Sequence, residues 1–369
     1  MSQVQLTVNG KIYAGWEAVR IERGIEQLAG TFELTVSDRW ADIEPAKRIP
    51  RGAACTVALG GRTVITGFVD TVATRFDAQS HTVTVQGRDK SADLVDCSAI
   101  HKSGQWSGKK LEQIAADLLA PFGIGLKAQT DTGAPFAVFS LQEGESVFET
   151  LERAARMRAV LLMSDGLGHL VITRAGTNRA PAPLVEGQNI YKAEGEFDQK
   201  DRYSDYIVKG QKTGDDHQFG EPVAQQSARI QDASIARYRP LIVLAEDQDA
   251  TATLAQRAEW ERNVRAGRST RAGVTVLGWD VDGTLWEPNT LTRLQSPLLG
   301  ADLDLLISAL TYVQDESGTL TELQLAPPQA FDLIPLTKLT RLEKKLRKKK
   351  AEENLKESIT KNPEWEWQL

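Results

Sequence analysis

The feature that most constrains this chain is a run of short, alternating strands separated by two-residue turns in residues 3–87. Val4, Leu6 and Val8 alternate with polar residues, Asn9-Gly10 intervenes, and residues 12–16 resume the pattern. Asn-Gly is the preferred two-residue hairpin because both central positions need positive φ. Gly60-Gly61 plays the same part between residues 55–59 and 63–66, and residues 31–37 and 68–75 supply further strands. Strands this short at this spacing fit a closed barrel or sandwich, not a parallel sheet wound with helices.

The pattern breaks in residues 81–99, HTVTVQGRDKSADLVDCSA. Thr82, Val83, Thr84 and Val85 suit a half-buried strand. Gly87 ends it, and Asp89 or Ser91 is placed to cap a short helix through Ala92, Leu94 and Val95. From 106 to 175 the period becomes helical. Leu111, Ile114, Ala115, Leu118 and Leu119 recur at helix spacing, and Ser146 with Glu149 forms a capping box for a second helix. A hairpin follows around Asp165-Gly166-Leu167-Gly168; no helix succeeds this turn, which argues against a phosphate loop.

The β pattern returns from about 176, with strands at 206–208, 241–245, 274–279, 305–313 and 320–325. A polar helix over about 249–267 interrupts them, and residues 214–236 read as a mobile excursion. The expected fold class is therefore β-rich α+β. Residues 1–100 form a first β-barrel domain, 101–178 a small α/β insert, 179–332 a second β-barrel domain with a helix, and 333–369 a basic tail. Two β-rich halves suggest a duplication, although no residue-level repeat is visible.

Charge divides the same way. The 369 residues carry a net −6, and residues 338–350, KLTRLEKKLRKKK, carry +7 of their own, which leaves −13 on the remainder. An acidic body lacks the cations that grip phosphates. No run of about 18 apolar residues is present and the N-terminus lacks the build of a signal peptide, so cytoplasmic synthesis without membrane insertion is expected. Cys55 and Cys97 sit in apolar settings and read as buried free thiols. His81, His101, His169 and His217 lack metal-ligand spacing, so neither a metal nor a cofactor is expected.

One motif carries apparent chemistry. Residues 274–285, VTVLGWDVDGTL, match the first motif of haloacid-dehalogenase-type phosphatases, in which Asp280 would attack a phosphoryl group and Asp282 would protonate the leaving oxygen beside a metal ion. Such an enzyme needs further strand–helix units bearing a lysine and a second acidic pair, and the residues after Thr284 offer mainly hairpins. Asp282-Gly283 reads more simply as a hairpin turn, with Trp279 and Trp286 packing across it. The metal-dependent phosphatase stays as the alternative, and no catalytic residue is otherwise assigned.

Several stretches resemble one known family in a single register. They are Gly15-Trp16 through Arg23-Gly24-Ile25-Glu26 with Ala29 to Leu34, the run from Gln86 to Cys97, Leu111 to Ala115, Tyr206 to Gly210, Arg237 to Pro240, and Asp282 to Trp286 with Pro288-Asn289. In these the chain resembles the baseplate hub proteins of Mu-like contractile-tailed phages, the Mu tail protein P group, related to late control protein D and the T-even phage hub. The resemblance ends near Ala330.

It implies a non-enzymatic homotrimer of doubled, tail-tube-like domains in the virion tail baseplate. Such a ring joins the hexameric tail tube protein to the trimeric central spike protein, borders the baseplate wedge proteins, and has DNA only as passing cargo in its channel. Acidic side chains lining that channel would help DNA slide. Gly87, Arg88, Asp89, Lys90, Asp93 and Asp96 become junction or interface candidates. In the tail, Leu339, Leu342 and Leu346 suggest an amphipathic helix. Lys344, Lys345, Arg347, Trp365 and Trp367 are docking candidates, disordered alone and ordering on spike or wedge contact.

Overall fold

The computed structural model describes residues 4–37, 49–78, 81–176, 178–210, 226–244, 254–316 and 318–333. The first β half comprises β1 (Val4–Val8), β2 (Lys11–Tyr13), β3 (Ala18–Gly24), β4 (Thr31–Ser37), β5 (Ala54–Leu59), β6 (Arg62–Phe76) and β7 (His81–Asp89). Its two short turns have the geometry the sequence requires: φ is 50° at Asn9, 76° at Gly10, 55° at Gly60 and 82° at Gly61. The segments expected at 63–66 and 68–75 are one strand of 15 residues. Gly67 does not break it. A Cβ there would lie 1.9 Å from the Arg88 carbonyl oxygen, so this glycine permits close strand approach.

The insert holds α1 (Ala92–Asp96), β8 (Gln105–Lys109), α2 (Leu111–Leu119), β9 (Gly125–Ala128), β10 (Phe136–Ser140), α3 (Val147–Arg156), β11 (Leu161–Ser164) and β12 (His169–Thr173). It has its own core, with Leu94, Leu111, Ile114, Leu151 and Leu170 buried together. The capping box forms as read. The Glu149 amide donates to Ser146 Oγ at 3.1 Å, and the Ser146 amide to Glu149 Oε2 at 2.8 Å.

The second β half runs through β13 (Leu184–Val185), β14 (Ile190–Phe197), β15 (Asp205–Gly210), β16 (Gln226–Gln231), β17 (Pro240–Leu244), α4 (Leu254–Arg268), β18 (Thr270–Leu277), β19 (Asp280–Val281), β20 (Thr284–Leu285), β21 (Leu291–Ser296), β22 (Ala301–Asp315) and β23 (Gly318–Ala326). Strands β16, β15 and β17 form a separate sheet on which α4 packs. Part of the excursion expected at 214–236 is thus strand β16, paired antiparallel to β15. Its polar, edge-strand composition concealed it, since no apolar alternation marks a strand with little to bury.

The remaining strands of both halves share one sheet in the order β14-β18-β23-β22-β3-β4-β7-β6-β5-β1-β2, with β21 on β22 and β13 on β21. The class is β-rich α+β as read. The halves are joined: β3 of the first pairs with β22 of the second, Ile21 opposite Tyr312 and Arg23 opposite Leu310. Beneath this seam Leu6, Ile21 and Leu34 share a hydrophobic core with Val274, Trp286 and Leu323. Apolar burial, at about 25 cal/mol per Å², couples the halves in addition to the backbone bonds of the seam.

The duplication suspected from the sequence is visible in the topology. The antiparallel order β3-β4-β7-β6-β5 is repeated as β14-β18-β23-β22-β21. In both copies the central hairpin has a bulge in its long strand, between Val69 and Thr71 against β7 and between Ile307 and Ala309 against β23. The bulge neighbours are held alike. The Gly52 amide donates to the Val69 carbonyl at 2.7 Å as the Asn289 amide does to Ile307 at 2.8 Å, and Gly52 (φ 75°) and Asn289 (φ 63°) are both left-handed.

Cys55 on β5 is buried as expected, which pushes its thiol up to about 12. Cys97 is exposed instead, because the short helix α1 buries only Ala92 and Leu94 and ends before it.

Candidate functional site

The first β half and the insert meet on one carboxylate. Asp89, the last residue of β7, is 2% exposed. Its Oδ2 accepts from the Gly30 amide at 2.6 Å, in the connection from β3 to β4, and from Ser164 Oγ at 2.6 Å, at the end of β11. Its Oδ1 accepts from the Ser91 amide at 2.9 Å and from Ser91 Oγ. Burial pushes this carboxyl above the ordinary range, opposed by the hydrogen bonds from Ser164, Ser91 and Gly30. Ser91 sits at the N-cap of α1 without making a side-chain cap bond, because its hydroxyl is engaged by Asp89. The sequence offered Asp89 or Ser91 as a cap; the pair instead pins two units together.

The neighbours of Asp89 divide between packing and charge. Gly87 leaves no room for a side chain: a Cβ would lie 2.1 Å from the Phe68 carbonyl oxygen and 2.5 Å from the Phe32 ring. Arg88, on the opposite face, donates to Asp70 at 2.8 Å and reaches Asp96 of α1 at 2.9 Å. Those two carboxylates, Asp70 first, hold its guanidinium more firmly protonated than usual. The Lys90 amide donates to the Thr66 carbonyl at 3.0 Å. Asp93 lies in the first turn of α1, where a carboxylate favours the helix dipole.

Further joints were not assigned from the sequence. The turn set aside as a phosphate loop docks on β6, with Thr66 Oγ1 donating to the Gly166 carbonyl at 2.9 Å. Burial raises the Asp165 carboxyl, but Lys127 at 2.6 Å and the amide and ring of His169 outweigh it and hold it below the usual range. Where the insert leaves for the second half, Asn289 Oδ1 accepts from the Gly176 amide at 2.7 Å, and its Nδ2 donates to the Arg174 carbonyl at 3.0 Å. Across the seam, buried Arg23 of β3 donates to Glu287 at 2.6 Å. The Asn-Gly and Asp-Gly logic that finds hairpins does not find Asn289; an asparagine directly after Pro288 was the available signal.

The phosphatase motif resolves into a turn. Asp282 (φ 49°) and Gly283 (φ 75°) occupy the centre of a hairpin between β19 and β20, and Asp280 accepts from the Gly283 amide at 3.0 Å. Trp279 and Trp286 flank it, each buried in the main core, with the Trp286 amide donating to the Trp279 carbonyl at 3.2 Å. Among the described residues no group of three His, Cys, Asp or Glu side chains is placed to hold a metal ion, and no helix is long and apolar enough to cross a membrane. Lys344, Lys345, Arg347, Trp365 and Trp367 lie outside the described residues.

Comparison with known proteins agrees with this architecture. Residues 3–89 match the family described as Mu phage baseplate assembly protein GpP-like, N-terminal, and 91–174 match baseplate hub protein gp44-like, second domain. Residues 202–260 match tail protein NMB1110-like, third domain, and 250–334 match Mu phage baseplate assembly protein GpP, fourth domain. The first two matches meet at Asp89 and Ser91, where the shared carboxylate lies. The chain is 35% identical to baseplate hub protein gp44 of Escherichia phage Mu over 348 residues, 90% of this chain and 89% of that protein. It superposes on the 43 kDa tail protein of prophage MuSo2 from Shewanella oneidensis with a TM-score of 0.79 and 37% identity, covering 90% and 99% of the two chains. The tail protein of Neisseria meningitidis MC58 shares the fold, with a TM-score of 0.72, 22% identity and the same coverage. The turn at Asp282, the doubled β unit and a Mu hub aligned along nearly the whole chain have one common reading: the chain belongs to the family of Mu-type baseplate hub proteins and is a structural component of the baseplate hub.

Proposed function

We propose that three copies of this chain form the ring that connects the hexameric tail tube to the trimeric central spike in the baseplate of a contractile tail. The observation that carries this reading is the internal repeat, β3-β4-β7-β6-β5 against β14-β18-β23-β22-β21, joined edge to edge. Three chains with two equivalent β units each present six positions to a tube and three to a spike. The insert and the β15–β17 sheet break that equivalence and are the natural contacts for spike and wedge proteins. The junction cluster from Gly87 to Asp96 serves this task by fixing the insert relative to the ring. The task is mechanical and needs no catalytic group.

DNA enters this reading only as cargo in transit. The sequence expectation is an acidic channel, and part of the charge on the polar face of the sheet is paired. Arg20 binds Glu22 at 2.8 Å and lies 3.5 Å from Glu322, and Arg88 holds Asp70. A channel lined by this face offers few uncompensated cations to a phosphate backbone, so DNA slides past it.

The test is the mass of the purified full-length chain by sedimentation over a range of concentrations, alone and with its spike. A three-chain species, unchanged by Asp280→Asn, is expected. A magnesium-dependent phosphatase activity abolished by Asp280→Asn would overturn the reading. Removing residues 337–369 should weaken spike or wedge capture; unchanged capture counts against a docking role for the tail.

A further inference from the structure

One strand of the small sheet is made wholly of apolar residues and buries none of them. β17, with the sequence PLIVL, pairs along β15 and meets no strand on its other side among the described residues. Helix α4 packs across β15 and β16, which leaves β17 at the margin. The ladder begins one step before the strand, where the Ser204 amide donates to the Arg239 carbonyl at 2.9 Å. Tyr238 therefore lies in one row with Ile242 and Leu244, and the three are 79%, 55% and 64% exposed. The alternate row, Leu241 and Val243, sits beside buried Tyr206 and Val208 on the other face. Arg239, in that second row, lies over the Tyr203 ring and has no carboxylate within ion-pair distance among the described residues. An apolar edge with unpaired backbone groups takes an added strand, and left bare it is an aggregation hazard.

The chain carries a matching pattern beyond the described residues. In residues 363–369, PEWEWQL, the apolar Trp365, Trp367 and Leu369 alternate with Glu364, Glu366 and Gln368, the period of a half-buried strand. We infer that this segment adds to the free edge of β17 in its own chain, running parallel to it. Face and charge select the register. The apolar row must lie over the exposed row of β17, and a slip of one residue would put glutamates there instead. Setting Trp367 opposite Ile242 brings Leu369 opposite Leu244, Trp365 opposite Pro240 beside Tyr238, and Glu364 opposite Arg239. The antiparallel arrangement with the same central pair forfeits the contact between Glu364 and Arg239. Pro363, which cannot donate to a ladder, falls at the start of the added strand. The reach is sufficient. The Asp332 carbonyl accepts from Trp260 Nε1 at 2.8 Å, which holds the chain beside the helix that covers this sheet. Residues 334–362 supply 29 residues to cross a few strand spacings of about 4.8 Å each. Tethering makes the contact intramolecular, so a short strand suffices. The basic run at 338–350 then lies between two anchors, available to a spike or wedge protein. The inference does not depend on the trimer reading.

The experiment uses the full-length chain with exposed Cys97 replaced by serine and buried Cys55 retained. Ile242→Cys and Trp367→Cys are introduced together; directly opposite Cα atoms, about 4.8 Å apart, are within disulfide reach. Mild oxidation should join them within one chain, as peptide mapping and migration of the denatured, non-reduced protein as a single chain would show. The pair Leu241→Cys with Trp367→Cys, whose side chains point to opposite faces, should stay reduced. A bond formed only between chains shows that the edge is filled by another copy and overturns the inference. Equal bonding in both pairs overturns the register. No bond in either overturns the docking, and leaves the spike or wedge contact to be judged by removal of residues 337–369. As an independent readout, Trp365→Ser with Trp367→Ser in the otherwise unaltered chain should speed hydrogen exchange of residues 240–244 about tenfold, with α4 unaffected; unchanged exchange would also overturn the docking.

Discussion

Replacing Asp89 by asparagine is an almost isosteric change that isolates the hydrogen-bond logic of the junction. Each carboxylate oxygen accepts one backbone amide and one serine hydroxyl, Gly30 N with Ser164 Oγ and Ser91 N with Ser91 Oγ. An asparagine presents one oxygen and one NH2 group. In either orientation the NH2 group faces a backbone N–H that cannot reverse its polarity, whereas the hydroxyls can rotate to accept. One buried donor is left unmatched, at about 1–3 kcal/mol, and the surviving bonds lose their charge assistance. Part of this is offset, because burial already disfavours the ionised carboxylate. We expect a net loss near 2 kcal/mol, equivalent to about a thirtyfold fall in protection if the junction opens locally. Hydrogen exchange at the Gly30 and Ser91 amides reads this directly, with Trp106, the insert's sole tryptophan, as a fluorescent reporter of its core. If both amides keep their protection and the melting transition is unmoved, the junction is not held by this carboxylate and the reasoning fails.

Gly87→Ala should be worse than any charge change in the same stretch, since its Cβ would meet the Phe68 carbonyl and the Phe32 ring; about 3 kcal/mol or more and a collapse of soluble yield are expected. Asn289→Ala should cost about 2–3 kcal/mol by orphaning the Gly176 amide and straining a left-handed position, and Asn289→Gly less, as measured by urea unfolding. Glu145 is held below the usual carboxylate range chiefly by its bonds to Arg153, at 2.9 and 2.8 Å. A depressed folded pKa gives stability that is present above the unfolded value near 4.3 and lost as pH falls through the folded one. Glu145→Gln should therefore cost about 1 kcal/mol at pH 7, after allowing for solvent screening, and progressively less as pH falls below the unfolded value, as thermal melts from neutral to acid pH would show.

How much was legible in the sequence follows from the range of the forces involved. Local chemistry wrote the hairpins: Asn9-Gly10, Gly60-Gly61 and Asp282-Gly283 all take the positive φ their residue types favour, and the last accounts for the phosphatase-like motif as a turn. The capping box at Ser146 is local in the same sense. The stretch from Gly87 to Asp96 stood out as a boundary because a period-two pattern gives way there to a helical one. Its match to a hub family turned that boundary into a function.

What only the tertiary structure decided depends on partners far away along the chain. Nothing near Asp89 announces that Gly30 and Ser164 will donate to it, and a cap was the better local inference. Cys97 looked buried because its neighbours are apolar, but exposure depends on where a five-residue helix ends. That the two β halves join in one sheet was not legible because strand edges carry no sequence label: the backbone groups that join β3 to β22 are the same in every residue. For that reason the duplication, invisible in the residues, is plain in bulges and registers. Side-chain pattern fixes what each strand is, while edge pairing, set by tertiary packing, fixes which strand it meets.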